Sequence, residues 1–85
     1  MDIKIKFFSG ESFVIKLNDI NTVEELAEKI VENKIAKKYH FCIHSINLYF
    51  GQVMRWDEKL SYYGIKEGAY INVIKKIMEE DVLTI

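Results

Sequence analysis

The most diagnostic segment of the chain is Leu60-Ser61-Tyr62-Tyr63-Gly64-Ile65-Lys66-Glu67-Gly68-Ala69-Tyr70-Ile71. Leu60, Tyr63 and Ile65 cannot lie side by side on one face of a regular strand, because strand side chains alternate between two faces. Gly64 and Gly68 supply the backbone freedom that a tight corner needs. The segment therefore predicts a compact corner that leads into a final strand.

The strand that follows this corner alternates between two sets of side chains. Ile71 and Val73 share one side, with Lys75 as a further candidate. The other side carries Tyr70, Asn72, Ile74 and Lys76. A period of two residues is typical of a half-buried strand.

The chain begins with a predicted β-hairpin. Ile3 and Ile5 alternate with charged residues, as expected of a half-buried strand. A second strand places three apolar side chains on one face: Phe13, Ile15 and Leu17. Between them, Phe8-Ser9-Gly10-Glu11 predicts a turn, because glycine readily adopts a positive φ.

The clearest helix starts after Thr22. The sequence Thr22-Val23-Glu24-Glu25 fits a capping box, in which Thr22 caps the helix backbone and Glu25 reaches back to it. Apolar residues then recur at helical spacing, namely Val23, Leu26, Ala27, Ile30 and Val31. We expect this helix to end near Asn33 and to cover the inner face of the hairpin.

Two stretches after the helix leave alternatives open. Residues 34–39 could extend the helix or form a basic loop. Residues 41–50 favour a strand, but a slip of one residue exchanges its two faces. Strict alternation would bury Ile46, Leu48 and Phe50, whereas the opposite register would bury Tyr49.

A turn and a further short strand complete the predicted order of elements. Gly51 ends the third strand, and Val53, Met54 and Trp56 favour a short fourth strand with its following turn. The order is therefore β-β-α-β-β-β, without an internal repeat and without proline.

Composition narrows the classes of function. The 85 residues carry 12 basic and 13 acidic side chains, and a net charge of −1 does not indicate nucleic-acid binding. Cys42 is the only cysteine, so we expect a reducing, intracellular setting, cytoplasmic or nuclear. The N-terminus lacks the apolar core of a signal peptide, and no apolar run approaches the roughly 20 residues that cross a bilayer. A soluble monomer without membrane contact is expected.

In order and spacing, these segments resemble the ubiquitin-like β-grasp family. The likeness lies in Met1-Asp2-Ile3, Ser9-Gly10, Thr22-Val23-Glu24, Lys29-Ile30, Tyr49-Phe50-Gly51 and Leu60-Ser61-Tyr62-Tyr63-Gly64-Ile65, with a short insertion before the third strand. The resemblance covers residues 1–77. It implies an α+β fold in which a mixed sheet of four to five strands packs on one main helix, and it implies a binding module that is not an enzyme.

The C-terminal residues depart from the family pattern. Conjugated members end in two glycines, which enter the narrow active sites of activating enzymes, whereas no glycine follows Gly68 here. Residues 78–85 form a predicted tail of acidic and then aliphatic side chains. Where ubiquitin has chain-forming lysines, this sequence has Glu11, Gln52 and Glu67. The resemblance therefore implies a member of the non-conjugating type.

The resemblance also implies a binding face on the outer side of the sheet. Its apolar centre falls at Phe8, Ile74 and Leu48, or at the neighbour of Leu48 in the other register. Asn72 replaces a histidine of the family, and the rim would comprise Lys6, Gln52 and Lys76. Such a surface suits an amphipathic helix with acidic flanks, or a ubiquitin receptor. The plainer interpretation is that Phe8 packs on its own hairpin as an ordinary surface apolar residue.

Two functions are consistent with the resemblance. The first is a non-covalent interaction module that uses or mimics the ubiquitin surface in ubiquitin- or proteasome-linked recognition. The alternative is a regulatory ubiquitin-like protein outside that pathway, similar to the members that bind splicing factors. A partner of the second kind would use the helix side or the inserted basic loop.

Two local clusters favour plain interpretations. His40-Phe41-Cys42-Ile43-His44 would place three metal ligands on one strand face, but zinc needs a fourth, so we expect no metal or other cofactor. A solvent-facing or edge strand with a buried Cys42 is favoured instead. No catalytic residue is expected, since a nucleophilic cysteine needs an oriented histidine within a pocket. The basic residues Lys34, Lys37 and Lys38 could attract a phosphate backbone, although a solvated loop is favoured.

Overall fold

A computed structural model of the chain describes residues 1–76. Residue 77 of the predicted domain and the predicted tail at 78–85 lie outside the described residues. The strands are β1 (Asp2–Phe7), β2 (Ser12–Lys16), β3 (Ile46–Tyr49) and β4 (Tyr70–Lys75). The α-helices are α1 (Val23–Val31) and α2 (Lys34–Lys38), and single 3-10 turns span Ile43–Ser45 and Leu60–Tyr63.

The strands form one mixed sheet in the order β2-β1-β4-β3. At its centre β1 and β4 run parallel, with Ile5 opposite Ile71. At one edge β2 pairs antiparallel with β1, and at the other edge β3 pairs antiparallel with β4. A mixed sheet that shares its core with a helix confirms the predicted α+β, β-grasp architecture. The short strand expected at residues 53–56 is reduced to one bridge between Val53 and Tyr49, because the chain turns sharply after Phe50.

The core lies between one face of the sheet and α1. Its buried side chains from the strands include Ile3, Ile5, Phe7, Ile46, Leu48, Ile71 and Val73, and those from α1 are Val23, Leu26, Ala27 and Ile30. The register of β3 is thereby settled: Ile46 and Leu48 face inward and Tyr49 faces outward. Phe50 is only half-buried, because it follows the last paired residue of β3.

The predicted capping box at the start of α1 is confirmed. Thr22 Oγ1 accepts a hydrogen bond from the Glu25 N–H at 3.2 Å, and Glu25 Oε1 accepts one from the Thr22 N–H at 2.9 Å. The helix ends just before Asn33, whose side chain accepts a hydrogen bond from the Ile35 N–H at 2.9 Å. Asn33 thus lies between the two helices and caps the second, so residues 34–38 form a separate helix, α2.

The corner between residues 60 and 69 fixes the approach of β4 to β1. The 3-10 turn that starts at the buried Leu60 ends at Gly64, which has a left-handed conformation with φ of 70°. The Leu60 N–H donates to the Asn21 carbonyl at 2.9 Å, which ties the corner to the start of α1. At its other end, the Gly68 N–H donates to the Asp2 carbonyl at 2.8 Å. The corner therefore joins helix and central strands into one unit.

Truncation of Leu60 to alanine should lower the free energy of unfolding by about 2–5 kcal/mol, because the cavity opens in the core beneath the corner. The neighbouring Tyr62 is 68% exposed, and its change to alanine should cost at most about 1 kcal/mol. Chemical denaturation monitored by Trp56 fluorescence measures both. Equal losses for the two variants would show that the corner does not support the core.

Candidate protein-binding surface

Three neighbouring strands contribute a row of side chains to the outer face of the sheet. Lys6 on β1 lies opposite Asn72 on β4, and Asn72 lies opposite Tyr49 on β3. These three residues therefore form one row across the sheet. Ile74 lies two residues further along β4, and so points to the same side as Asn72.

Three exposed apolar side chains converge on this face. Phe8, directly after β1, is 68% exposed, Ile74 is 42% exposed and Tyr49 is 37% exposed. Together with Lys6, Asn72 and Lys75 they line a shallow depression of about 580 Å³. We call this surface the sheet-face patch and define it by Lys6, Phe8, Tyr49, Asn72, Ile74 and Lys75.

The placement of Leu48 on this surface is wrong. Leu48 pairs with Val73, and the two side chains both point into the core, so Leu48 is fully buried. Its neighbour Tyr49 occupies the outward position, as expected for the register of strict alternation that buries Ile46 and Leu48. Lys75 was a candidate for the side of Ile71 and Val73, but it is exposed and lines the depression. The alternation of β4 did place Ile74 on the outward side.

The other predicted surface residues divide into two groups. Phe8, Ile74, Lys6 and Asn72 are brought together in the patch. Gln52 and Lys76 are exposed, but neither lines the depression. Gln52 lies in the turn after β3, where its carbonyl accepts a hydrogen bond from the Phe50 N–H.

Charge is distributed unevenly between the two sides of the domain. The outward side of β1 and β2 carries the exposed Lys4, Lys6 and Lys16, whereas the exposed positions of α1 include Glu24, Glu25 and Glu28. Lys4 Nζ also lies 5.0 Å from the ring centre of Tyr70, next to the patch. A chain with almost balanced charge therefore presents a basic sheet face and an acidic helix face.

Phe8 does not pack on its own hairpin alone. Its ring centre lies 5.3 Å from that of Tyr39 and 6.2 Å from that of Phe41, and both partners belong to the segment around α2. Phe7, in the core, stacks on Phe41 at 6.1 Å and on Phe13 at 5.7 Å. We call these five side chains the aromatic cluster. They connect the hairpin turn, the core and the segment directly after α2, which we call the inserted segment and define as residues 39–41.

The side chain of Glu11 receives several donors at the edge of this cluster. Its Oε1 accepts hydrogen bonds from the Tyr39 hydroxyl at 2.7 Å and from the Ser9 hydroxyl at 2.9 Å. Lys38 Nζ lies 3.6 Å from the same oxygen. The hydrogen bond from Tyr39, followed by that from Ser9, holds the pKa of Glu11 below its ordinary value.

The interpretation of residues 40–44 as a strand is wrong. His40 has a left-handed backbone with φ of 59°, and Ile43–Ser45 is a 3-10 turn, so His40, Cys42 and His44 do not share a strand face. Cys42 is exposed, which contradicts the expected burial. The pKa of the Cys42 thiol is lowered, mainly by a hydrogen bond from the side chain of Ser45. Within residues 1–76, no three histidine, cysteine or acidic side chains are grouped as metal ligands.

The comparison with protein families agrees with this geometry. A family model described as the ubiquitin family matches residues 3–77. The chain belongs to the ubiquitin family. The match to that family covers both helices and all four strands apart from Asp2, and so includes the sheet-face patch. A comparison with curated proteins found no match. None of the helices in residues 1–76 has the length and apolar character that a membrane crossing requires.

The pKa of Glu11 should rise towards its ordinary value of 4.5 when either donor is removed. Tyr39→Phe should raise this pKa more than Ser9→Ala, since the Tyr39 hydroxyl is the larger cause. Because the pKa of Glu11 is lower in the folded state, this carboxylate stabilises the fold at pH values above its ordinary pKa. The contribution is lost as the pH falls through the folded-state pKa. Carboxyl carbon NMR over a pH titration measures the pKa. A larger effect of Ser9→Ala would contradict the assigned order.

Proposed function

We propose that this member of the ubiquitin family is a non-covalent protein-interaction module, without enzymatic activity, that binds through the sheet-face patch. One observation carries the proposal: Phe8, Tyr49 and Ile74 come from three separate parts of the chain and meet, exposed, in one depression. Contiguous exposed apolar surface with a polar rim is typical of interaction sites. Single scattered apolar residues would need no such explanation.

The partner that fits best is an amphipathic helix with acidic flanks. The depression is shallow and open, so an apolar stripe of a helix can lie in it, with Phe8, Tyr49 and Ile74 as the contacts. Lys6 and Lys75 stand at its edge and would pair with acidic residues beside that stripe. Receptors of the ubiquitin and proteasome systems, in the cytoplasm or nucleus, are the class of partner we propose.

The basic helix α2 supports a second candidate function. Lys34 and Lys37 are exposed on α2, and neither lines the depression. A regulatory partner outside the ubiquitin pathway could bind there and leave the patch free. The two candidates differ in which surface loses binding when it is altered.

Phe8→Ala should weaken binding of a synthetic amphipathic helix with glutamate flanks by about tenfold, a loss of about 1.4 kcal/mol. Ile20 is a matched control, because it is also 68% exposed but does not line the patch. Ile20→Ala should leave the affinity unchanged. Titration of isotope-labelled protein, followed by NMR, gives the affinities and the residues whose signals shift.

The same titration separates the two candidate surfaces. Lys6→Glu combined with Lys75→Glu should weaken binding and reduce its salt dependence, because the acidic flanks lose their partners. Suppose instead that Lys34→Glu combined with Lys37→Glu weakens binding while Tyr49→Ala does not. The patch would then be the wrong surface, and the second candidate would stand.

A further inference from the structure

The hairpin turn that carries Phe8 is held from outside the hairpin. Within the turn, the Gly10 N–H donates to the Phe7 carbonyl at 2.9 Å, and Gly10 has a left-handed φ of 92°. Exposed turns of this kind open more easily than the sheet behind them. Here, however, the ring of Tyr39 contacts Phe8, and the hydroxyl of Tyr39 donates to Glu11. Both ends of the turn therefore contact one residue of the inserted segment.

Tyr39 is itself fixed to the core. Its backbone N–H and that of Phe41 both donate to the carbonyl of Ala36, at 3.2 and 3.0 Å, and Ala36 is fully buried. Phe41 stacks on Phe7 in the core at 6.1 Å and on Tyr39 at 5.6 Å. A continuous series of contacts thus leads from the core to the turn.

We propose that Tyr39 is a positioning residue for the sheet-face patch, which holds the turn so that Phe8 stands in place beside Tyr49 and Ile74 before a partner arrives. This inference rests on the proposed function of the patch. Tyr39 holds the turn through two contacts: the hydrogen bond from its hydroxyl to Glu11 and the contact of its ring with Phe8.

The physical reason is the entropy cost of ordering a contact residue. A partner that meets a mobile Phe8 must immobilise it, and ordering one such side chain costs enough to change affinity by about two- to tenfold. Tyr39 is half-buried, so its hydrogen bond to a carboxylate is partly shielded from competing water. The fold has therefore already ordered this part of the surface.

The first arm of the test uses the free protein. Tyr39→Phe keeps the ring and removes only the hydroxyl that donates to Glu11. The backbone order parameters of Ser9 and Gly10, from nitrogen relaxation, should fall from about 0.85 towards 0.6 or lower. Tyr62→Phe removes the same atom outside the aromatic cluster and should leave them unchanged. Unchanged order in Tyr39→Phe would overturn the proposal.

The second arm measures affinity for the same synthetic helix with glutamate flanks. Tyr39→Phe and Glu11→Ala should each weaken binding about two- to tenfold. Glu11→Gln keeps an oxygen acceptor for the Tyr39 hydroxyl and should restore both the order of the turn and most of the affinity. A purely charge-based effect of Glu11 would instead make Gln and Ala variants alike, which would contradict the role of Tyr39.

Ile74→Ala distinguishes failure of this inference from failure of the proposed function. If Ile74→Ala weakens binding and Tyr39→Phe does not, the patch binds as proposed and Tyr39 has no positioning role. If neither the wild type nor any variant binds the helix, the proposed function and its dependence on Tyr39 are both overturned. If Tyr39→Phe alters order and affinity together, both stand.

Discussion

The parallel pairing of β1 with β4 is the constraint on which the rest of the structure depends. The two strands are distant in sequence, yet they form the centre of the sheet, with Ile5 opposite Ile71 and Lys6 opposite Asn72. Parallel neighbours need a long crossover connection, and here it includes α1, β3 and the corner at residues 60–69. The backbone hydrogen bond from the Gly68 N–H to the Asp2 carbonyl sets where the pairing of β4 with β1 begins.

This pairing creates the core and the candidate binding face together. Because strand side chains alternate, the register that buries Ile71 and Val73 also turns Asn72 and Ile74 outward. Antiparallel pairing of β3 with β4 extends the same separation, so Leu48 enters the core and Tyr49 faces outward. The inward and outward sets of side chains therefore share one register, since a shift of one residue would exchange the two faces.

Local patterns in the sequence were enough to predict much of the fold. The hairpin, the capping box at Thr22 and the glycines of the corner each specify their own conformation within a few residues. The register of β3 could not be predicted, because both registers offer apolar residues and only pairing with the distant β4 selects one. The role of residues 39–41 was hidden for the same reason: Tyr39 and Phe41 find their partners at Phe8 and Phe7, far away in sequence.

Solvent exposure of neighbouring side chains in β3 is the most direct measurement of the central claim, that the register presents Tyr49 with Phe8 and Ile74 on one face. A soluble, inert paramagnetic agent broadens the NMR signals of exposed side chains. We expect strong broadening for Tyr49, Phe8 and Ile74, and none for Leu48, which is fully buried. Broadening of the Leu48 methyl signals together with protection of the Tyr49 ring would contradict the register, and with it the proposed binding surface.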